Sequence, residues 1–196
     1  MRSIKVEIEG VTPLICNKFT DAETLSSESG VKAAFSTTAD KGTPRERAEK
    51  KLYVDQQGII HVPGVNVFRS IIDAGIYHKA GRTKITTQKS SLVPAAMSFV
   101  EMTCPIINPA GGMIAWEVDS RSVVIPSTGG RIMAHRPRFD RWRLVFTVEY
   151  DPTMFAPTLV RTLVDDAGRR VGLGDFRPAR KGPFGKFVVT KWEELK

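Results

Sequence analysis

Val171-Gly172-Leu173-Gly174-Asp175-Phe176-Arg177-Pro178-Ala179-Arg180-Lys181-Gly182-Pro183-Phe184-Gly185-Lys186-Phe187 decides how this chain is read. The stretch holds four glycines and four basic side chains. Glycine serves where a backbone takes φ > 0 or approaches something closely, and Arg and Lys suit phosphate. Together they suggest a backbone held against a polyanion. A tight, basic surface loop between two elements is the alternative. Outward from it, Ala156–Gly168 is expected to form a helix, with Leu159, Leu163 and Ala167 on one stripe and Pro157 in the first turn. On the other side, Phe187-Val188-Val189 starts a closing strand.

The remaining elements follow from periodicity. Ile4-Lys5-Val6-Glu7-Ile8-Glu9 alternates apolar and charged residues as a half-buried strand does, and Leu14-Ile15-Cys16 continues it. Residues 20–50 are poor in large apolar side chains and read as a long mobile insertion, with a short helix near Arg45–Lys51. Leu52–Val62 reads as a hairpin with a turn at Gly58. In the helix that follows, Val65, Phe68, Ile71 and Ile72 share a face and Gly75 is the stop. Residues 76–95 form a second mobile, basic segment. Ala96–Ile107, Trp116–Ile125 and Trp142–Tyr150 are expected strands, and the arginine-rich 131–141 lies between the last two. The order is strand, helix, strand pairs, helix, glycine loop, strand. It fits an α+β domain spanning 1–196, with a ferredoxin-like or RRM-like βαββαβ core and long insertions at about 20–50 and 76–95.

Composition narrows the function. The 41% hydrophobic content suffices for a core. No segment is apolar for long enough to span a membrane, and the start lacks the apolar stretch of a signal peptide, so a cytoplasmic protein with no membrane partner is expected. Cys16 and Cys104 form no CxxC pair and have no His at metal spacing. Buried, reduced thiols and no metal or other cofactor are expected. The net charge of +8 is unevenly spread. Residues 74–100 carry four basic side chains and no acid; 121–143 carry six arginines against Asp140; 169–186 carry six basic side chains against Asp175. Three islands, with net acidic segments between them, suggest a footprint for nucleic acid assembled from distant segments. A solvated basic face is the alternative.

Three places in the chain carry a resemblance. Gly58-Ile59-Ile60-His61-Val62-Pro63-Gly64-Val65-Asn66-Val67-Phe68-Arg69 is similar to a strand, turn and helix entry of the RAMP superfamily, the RRM-like CRISPR-associated proteins. Ala167–Gly174 followed by Gly182–Phe187 is similar to that family's C-terminal glycine-rich loop. The opening strand with Thr12-Pro13-Leu14 is the third. The likeness is greatest to Cas7-type members, although the chain is shorter than many of them. It also resembles small phage or prophage proteins with the same loop.

The resemblance implies a backbone subunit that binds guide RNA without sequence preference, stacks on copies of itself and joins other CRISPR effector subunits. Such a binder needs cations along a track and rings for splayed bases. The expected set is Arg69, Arg82, Lys84, Lys89, Arg131, His135, Arg136, Arg138, Phe139, Arg141, Arg177, Arg180, Lys181, Phe184 and Lys186, with Gly172, Gly174, Gly182 and Gly185 allowing close approach. Trp142 and Phe146 are expected in the core, while Phe139 and Phe184 stand open between core and base stacking. Arg69 has a rival role, pairing with Asp73 one turn on. RAMP endoribonucleases use a His, and some Cas7-type subunits cut with an Asp after the first strand. The residues in reach of such chemistry are His78, His135 and Asp21, with Asp40 as a rival and His61 read as structural. None sits in a recognisable constellation, so whether the chain is an enzyme stays open. The other readings are a RAMP-type endoribonuclease, a phage accessory protein coating single-stranded DNA or entering a CRISPR complex, and an oligomer-forming protein without nucleic acid.

Overall fold

A computed structural model describes residues 1–19, 42–124 and 129–195. The strands are β1 (Arg2–Gly10), β2 (Leu14–Ile15), β3 (His61–Pro63), β4 (Lys79–Ala80), β5 (Thr83–Lys84), β6 (Met97–Phe99), β7 (Thr103–Pro105), β8 (Glu117–Val124), β9 (Arg131–Phe139), β10 (Arg143–Tyr150) and β11 (Phe187–Leu195). The helices are α1 (Pro44–Glu49), α2 (Gly64–Ala74), α3 (Val93–Ala96) and α4 (Pro157–Asp166).

The alternation in β1 and β10 builds the centre. Ile4, Val6 and Ile8 stand opposite Val148, Phe146 and Leu144 in antiparallel register, and all six are buried. Burying each such side chain contributes about 1.5–3 kcal/mol. β11 pairs with β1 and β6 with β10, both antiparallel, so the sheet order is β11-β1-β10-β6. Val67, Ile71 and Ala74 of α2 and Val160, Leu163 and Val164 of α4 join the same core, so both helices cover this face. The opposite face is polar: there Arg143 meets Glu7 at 3.6 Å and Glu9 at 3.2 Å. The chain is therefore a mixed α/β protein with antiparallel sheets. No helix among the described residues is long and apolar enough to cross a membrane.

Several elements depart from the sequence expectation. Val65 is 65% exposed; the inward face of α2 is Val67, Ser70, Ile71 and Ala74, with Phe68 and Ile72 half-buried. Ala96–Ile107 is not one strand: Ala96 ends α3, β6 joins the main sheet, and β7 crosses to pair with β3. The hairpin expected over 52–62 is reduced to a bridge between Val54 and Ile60. Its turn is held by the Asp55 carboxylate, which accepts from the N–H groups of Gln57 and Ile59. Residues 131–141 contain a full strand. β9 pairs with β8 over eight residues, and β2 anchors its Phe139 end through the Leu14↔Phe139 pair. The helix near 45 forms at Pro44–Glu49 behind a Thr43–Glu46 capping box. The rest of the insertion at 20–41 lies outside the described residues.

Trp142 is fully buried, its Nε1 donates to the Thr12 carbonyl at 2.9 Å, and it meets Phe187 edge-on. This is the core role expected for it, and Phe146 shares it. Cys16 and Cys104 are buried free thiols, and burial pushes both up to about 12.

Candidate nucleic-acid interface

The glycine-rich segment is bonded into the fold. Gly185 N–H donates to Pro13 O at 2.8 Å and Leu173 N–H to Gly185 O at 2.9 Å. Asp175 N–H donates to Ile15 O at 2.8 Å, and Val11 N–H to Lys186 O at 2.8 Å. The loop thus extends the stretch that follows β1. Its glycines serve this packing. A Cβ on Gly185 would run into the Leu173 carbonyl, and one on Gly182 into the Phe176 carbonyl. The same test at Gly172 and Gly174 meets Pro178 and the Ile15 carbonyl. The close approach inferred from these four glycines is made to protein backbone and side chain. Gly172 and Gly185 are buried, and Gly174 and Gly182 are half-buried.

Two arginines fasten the loop to the β8–β9 ribbon. Arg136 pairs with Asp175 at 2.8 Å. Arg121 lies 4.5 Å from the Phe184 ring centre and 6.0 Å from that of Phe176. Its Nε donates to both carboxylate oxygens of buried Asp119, at 2.9 and 2.7 Å. Arg138 is also engaged, with Glu117 at 2.9 Å and Asp140 at 2.8 Å. The hydrogen bond to Asp140 raises its pKa further. Phe139 is fully buried, which removes it from the expected stacking set; the alternation of β9 turns it inward beside Pro137. His135 meets Ser120 Oγ at 2.7 Å through Nδ1. Arg131 and Arg141 are exposed and make no ion pair with the described residues.

A cleft of about 210 Å³ opens between the loop, β2 and the first turns of α2. Arg69 and Arg177 line it, with Tyr53 and Asn66 on one wall and Gly172–Asp175 on another. α2 begins at Pro63 with no side-chain cap. Arg69 donates to Asp73 at 2.9 Å, the local pairing expected as its rival role, yet its side chain remains 69% exposed. Arg177 donates to Gly174 O at 3.0 Å. Burial, and after it the charge of Arg180, lowers its pKa. Burial raises the Tyr53 phenol against a hydrogen bond with Asn66. Arg180 and Lys181 stand exposed beside this cluster and Lys186 is half-buried; none of the three has an ion-pair partner among the described residues.

The island at 76–95 sits at the other end of α2. Ile85 and Thr86 are buried there, and Thr86 Oγ1 donates to Ile72 O at 2.7 Å. The β4–β5 hairpin leaves Lys79, Arg82 and Lys84 exposed, as is Lys89. His78 Nε2 meets Asp166 at 2.8 Å, and Asp166 also accepts from Arg170 at 3.1 Å. The structure therefore brings Arg69, Arg177, Arg180 and Lys181 together, and Arg136 and Phe184 beside them. Arg82, Lys84 and Lys89 stay in a separate group. Asp21 and Asp40 lie outside the described residues. His61 is buried, with Nδ1 3.3 Å from Ile59 O. The described residues contain no cluster of His, Cys, Asp and Glu able to hold a metal.

Sequence reasoning missed Arg121, Asp119 and Asp175 as the parts that position the loop. The signal was in β8, where Glu117, Asp119 and Arg121 alternate on one face and meet Arg138 and Arg136 across the ribbon.

No family model and no curated protein matches the chain. Among solved structures it is similar to a chain in the cryo-EM structure of the Type III-B Cmr-beta bound to cognate target RNA, with a TM-score of 0.52 and 12% identity. The match covers 100% of this chain and 61% of that one, so this protein spans about three fifths of its neighbour's length. The likeness is one of fold.

Proposed function

We propose that this chain is a RAMP-type, Cas7-like protein that binds single-stranded nucleic acid, RNA above all, without sequence preference, alongside copies of itself and other CRISPR effector subunits. The sheet order β11-β1-β10-β6, with α2 and α4 on one face, is the arrangement expected of a ferredoxin-like βαββαβ core. The neighbour's RNA-bound complex supports the same reading. The observation that carries it is the cation cluster at the cleft. Arg69 and Arg177 line the cleft and Arg180 lies near Arg177, with Asp73 and Asp175 offsetting part of their charge. The cations at the cleft and beside it in the chain, Arg69, Arg177, Arg180 and Lys181, outnumber the nearby carboxylates of Asp73 and Asp175, which leaves positive charge suited to an anion. The start of α2 lacks a side-chain cap, although its Gly64 N–H donates to Met102 O, and its backbone dipole has the same sign. Contacts of this kind read phosphate and carry no base information.

A second reading, endoribonuclease, is favoured by His78. Asp166 orients its ring, and Lys79, Arg82 and Lys84 stand exposed close by in the chain.

One titration tests both. Purified protein is stripped of bound nucleic acid and titrated with labelled single-stranded RNA, single-stranded DNA and duplex. With four phosphates neutralised, affinity for single strands falls about 50-fold between 50 and 200 mM salt. RNA recovered intact from the complex supports the binding reading. Cleavage that His78→Ala abolishes while binding persists supports the second. Absence of salt-dependent binding to any strand overturns both.

A further inference from the structure

We infer that the exposed ring of Phe176 is a stacking platform for one unpaired nucleobase; this rests on the RNA-binding reading above. Phe176 is 39% exposed and has φ +49°, in the left-handed region that L-residues rarely occupy. A phenylalanine there gains neither full burial nor a relaxed backbone, so its place has to be imposed by its surroundings. They impose it from several sides. Its N–H donates to the Asp175 carboxylate at 2.9 Å, and that carboxylate is held by Arg136. Its carbonyl accepts from Phe184 N–H at 3.3 Å and packs on Gly182, where a side chain would not fit.

The ring also has a fixed backing. Phe184 lies 6.1 Å away, tilted by 47°, and Arg121 covers Phe184. Arg121 is in turn clamped by both oxygens of Asp119, which is 5% exposed. The two tilted rings and the Arg121 guanidinium, which lies 6.0 Å from the Phe176 ring centre as well, form a fixed three-membered cluster that leaves Phe176 partly open to solvent. The next residue, Arg177, enters the cleft, and Arg180 and Lys181 follow within five positions of the ring. A planar apolar surface beside phosphate-binding cations fits a nucleotide of a single strand: backbone on the cations, base on the ring. A base paired within a duplex has no free face to offer, so the platform selects single strands.

The test is a single-stranded RNA carrying 2-aminopurine at successive positions, bound to the unaltered chain and to Phe176→Leu. The unaltered chain is expected to quench the probe at one position per bound protein. Phe176→Leu loses that quenching and about tenfold in affinity. Its salt slope stays unchanged, because no phosphate contact is removed. Phe176→Trp restores both quenching and affinity, and carries the test should the leucine variant fold poorly. If the unaltered chain binds no single strand, the binding reading fails and the platform with it. Binding with quenching and affinity unaltered in Phe176→Leu overturns the platform alone. So does a changed oligomeric mass without a change in RNA affinity, which would assign the ring to contact between copies.

Discussion

Replacing Arg180 and Lys181 together by alanine weakens single-stranded RNA binding about 25-fold at 0.1 M salt and reduces the slope of log affinity against log salt by about 1.4. Both figures follow from two phosphate contacts, each releasing about 0.7 of a counterion from a single strand. These residues are chosen because both are exposed, with no acid paired to them among the described residues, so their charge is available to a ligand. Neither contributes to the core, and melting should shift little, since exposed substitutions usually stay within about 0.5 kcal/mol. The loss should be uniform across RNA sequences. Arg136 and Arg138 offer the contrast. They already face Asp175, Glu117 and Asp140. Alanine at both removes little net phosphate attraction and chiefly loosens the loop from the ribbon. Should the Arg136/Arg138 pair flatten the salt slope more than the Arg180/Lys181 pair, the footprint lies along β9 and the cleft is not its centre.

That contrast shows where sequence and structure part. β1, β10, α2 and α4 were legible because each presents one apolar face to one core, at period 2 or 3.6. β9 was not, because its partners are another strand and the glycine loop. Its alternation is written in Arg, His and Met, and its acids stand across the ribbon in β8. Charge islands counted along the chain missed that pairing, and Arg138 counted as free when two carboxylates hold it. Phe139 misled for the opposite reason. Arginines beside it in sequence suggested a nucleic-acid surface, yet a strand turns neighbours to opposite faces, and Phe139 points inward against Leu14. The stretch 96–107 hid a crossing between sheets, since apolar residues suit both strands and mark no boundary. The glycine loop was legible as a place of close backbone approach. What it approaches could not be read without Pro13, Ile15 and Leu173 beside it.

Gly185→Ala tests whether the loop's internal packing is what presents the cations. At φ +69°, alanine costs about 1–2 kcal/mol in backbone conformation alone. Its Cβ would also meet the Leu173 carbonyl, a backbone atom that moves only if the loop parts from itself. Parting breaks two hydrogen bonds, Leu173 N–H to Gly185 O and Gly185 N–H to Pro13 O, together worth about 2 kcal/mol. A loss of about 3–4 kcal/mol is expected, which lowers the melting temperature by about 10 °C in a domain of this size. Gly81→Ala is the control for conformation without crowding. Its φ is +61°, but a Cβ there meets nothing within 4 Å. Only the backbone cost remains, about 1 kcal/mol, and RNA affinity stays unchanged if the β4–β5 hairpin is outside the footprint. In Gly185→Ala, RNA affinity falls even at temperatures where the core is folded, because Arg177 no longer lines the cleft opposite Arg69. Equal melting shifts in the two variants would mean that the Leu173–Gly185 contact gives way freely. The loop would then be a flexible basic segment, and its rigid presentation of Phe176 and Arg177 would fail with it.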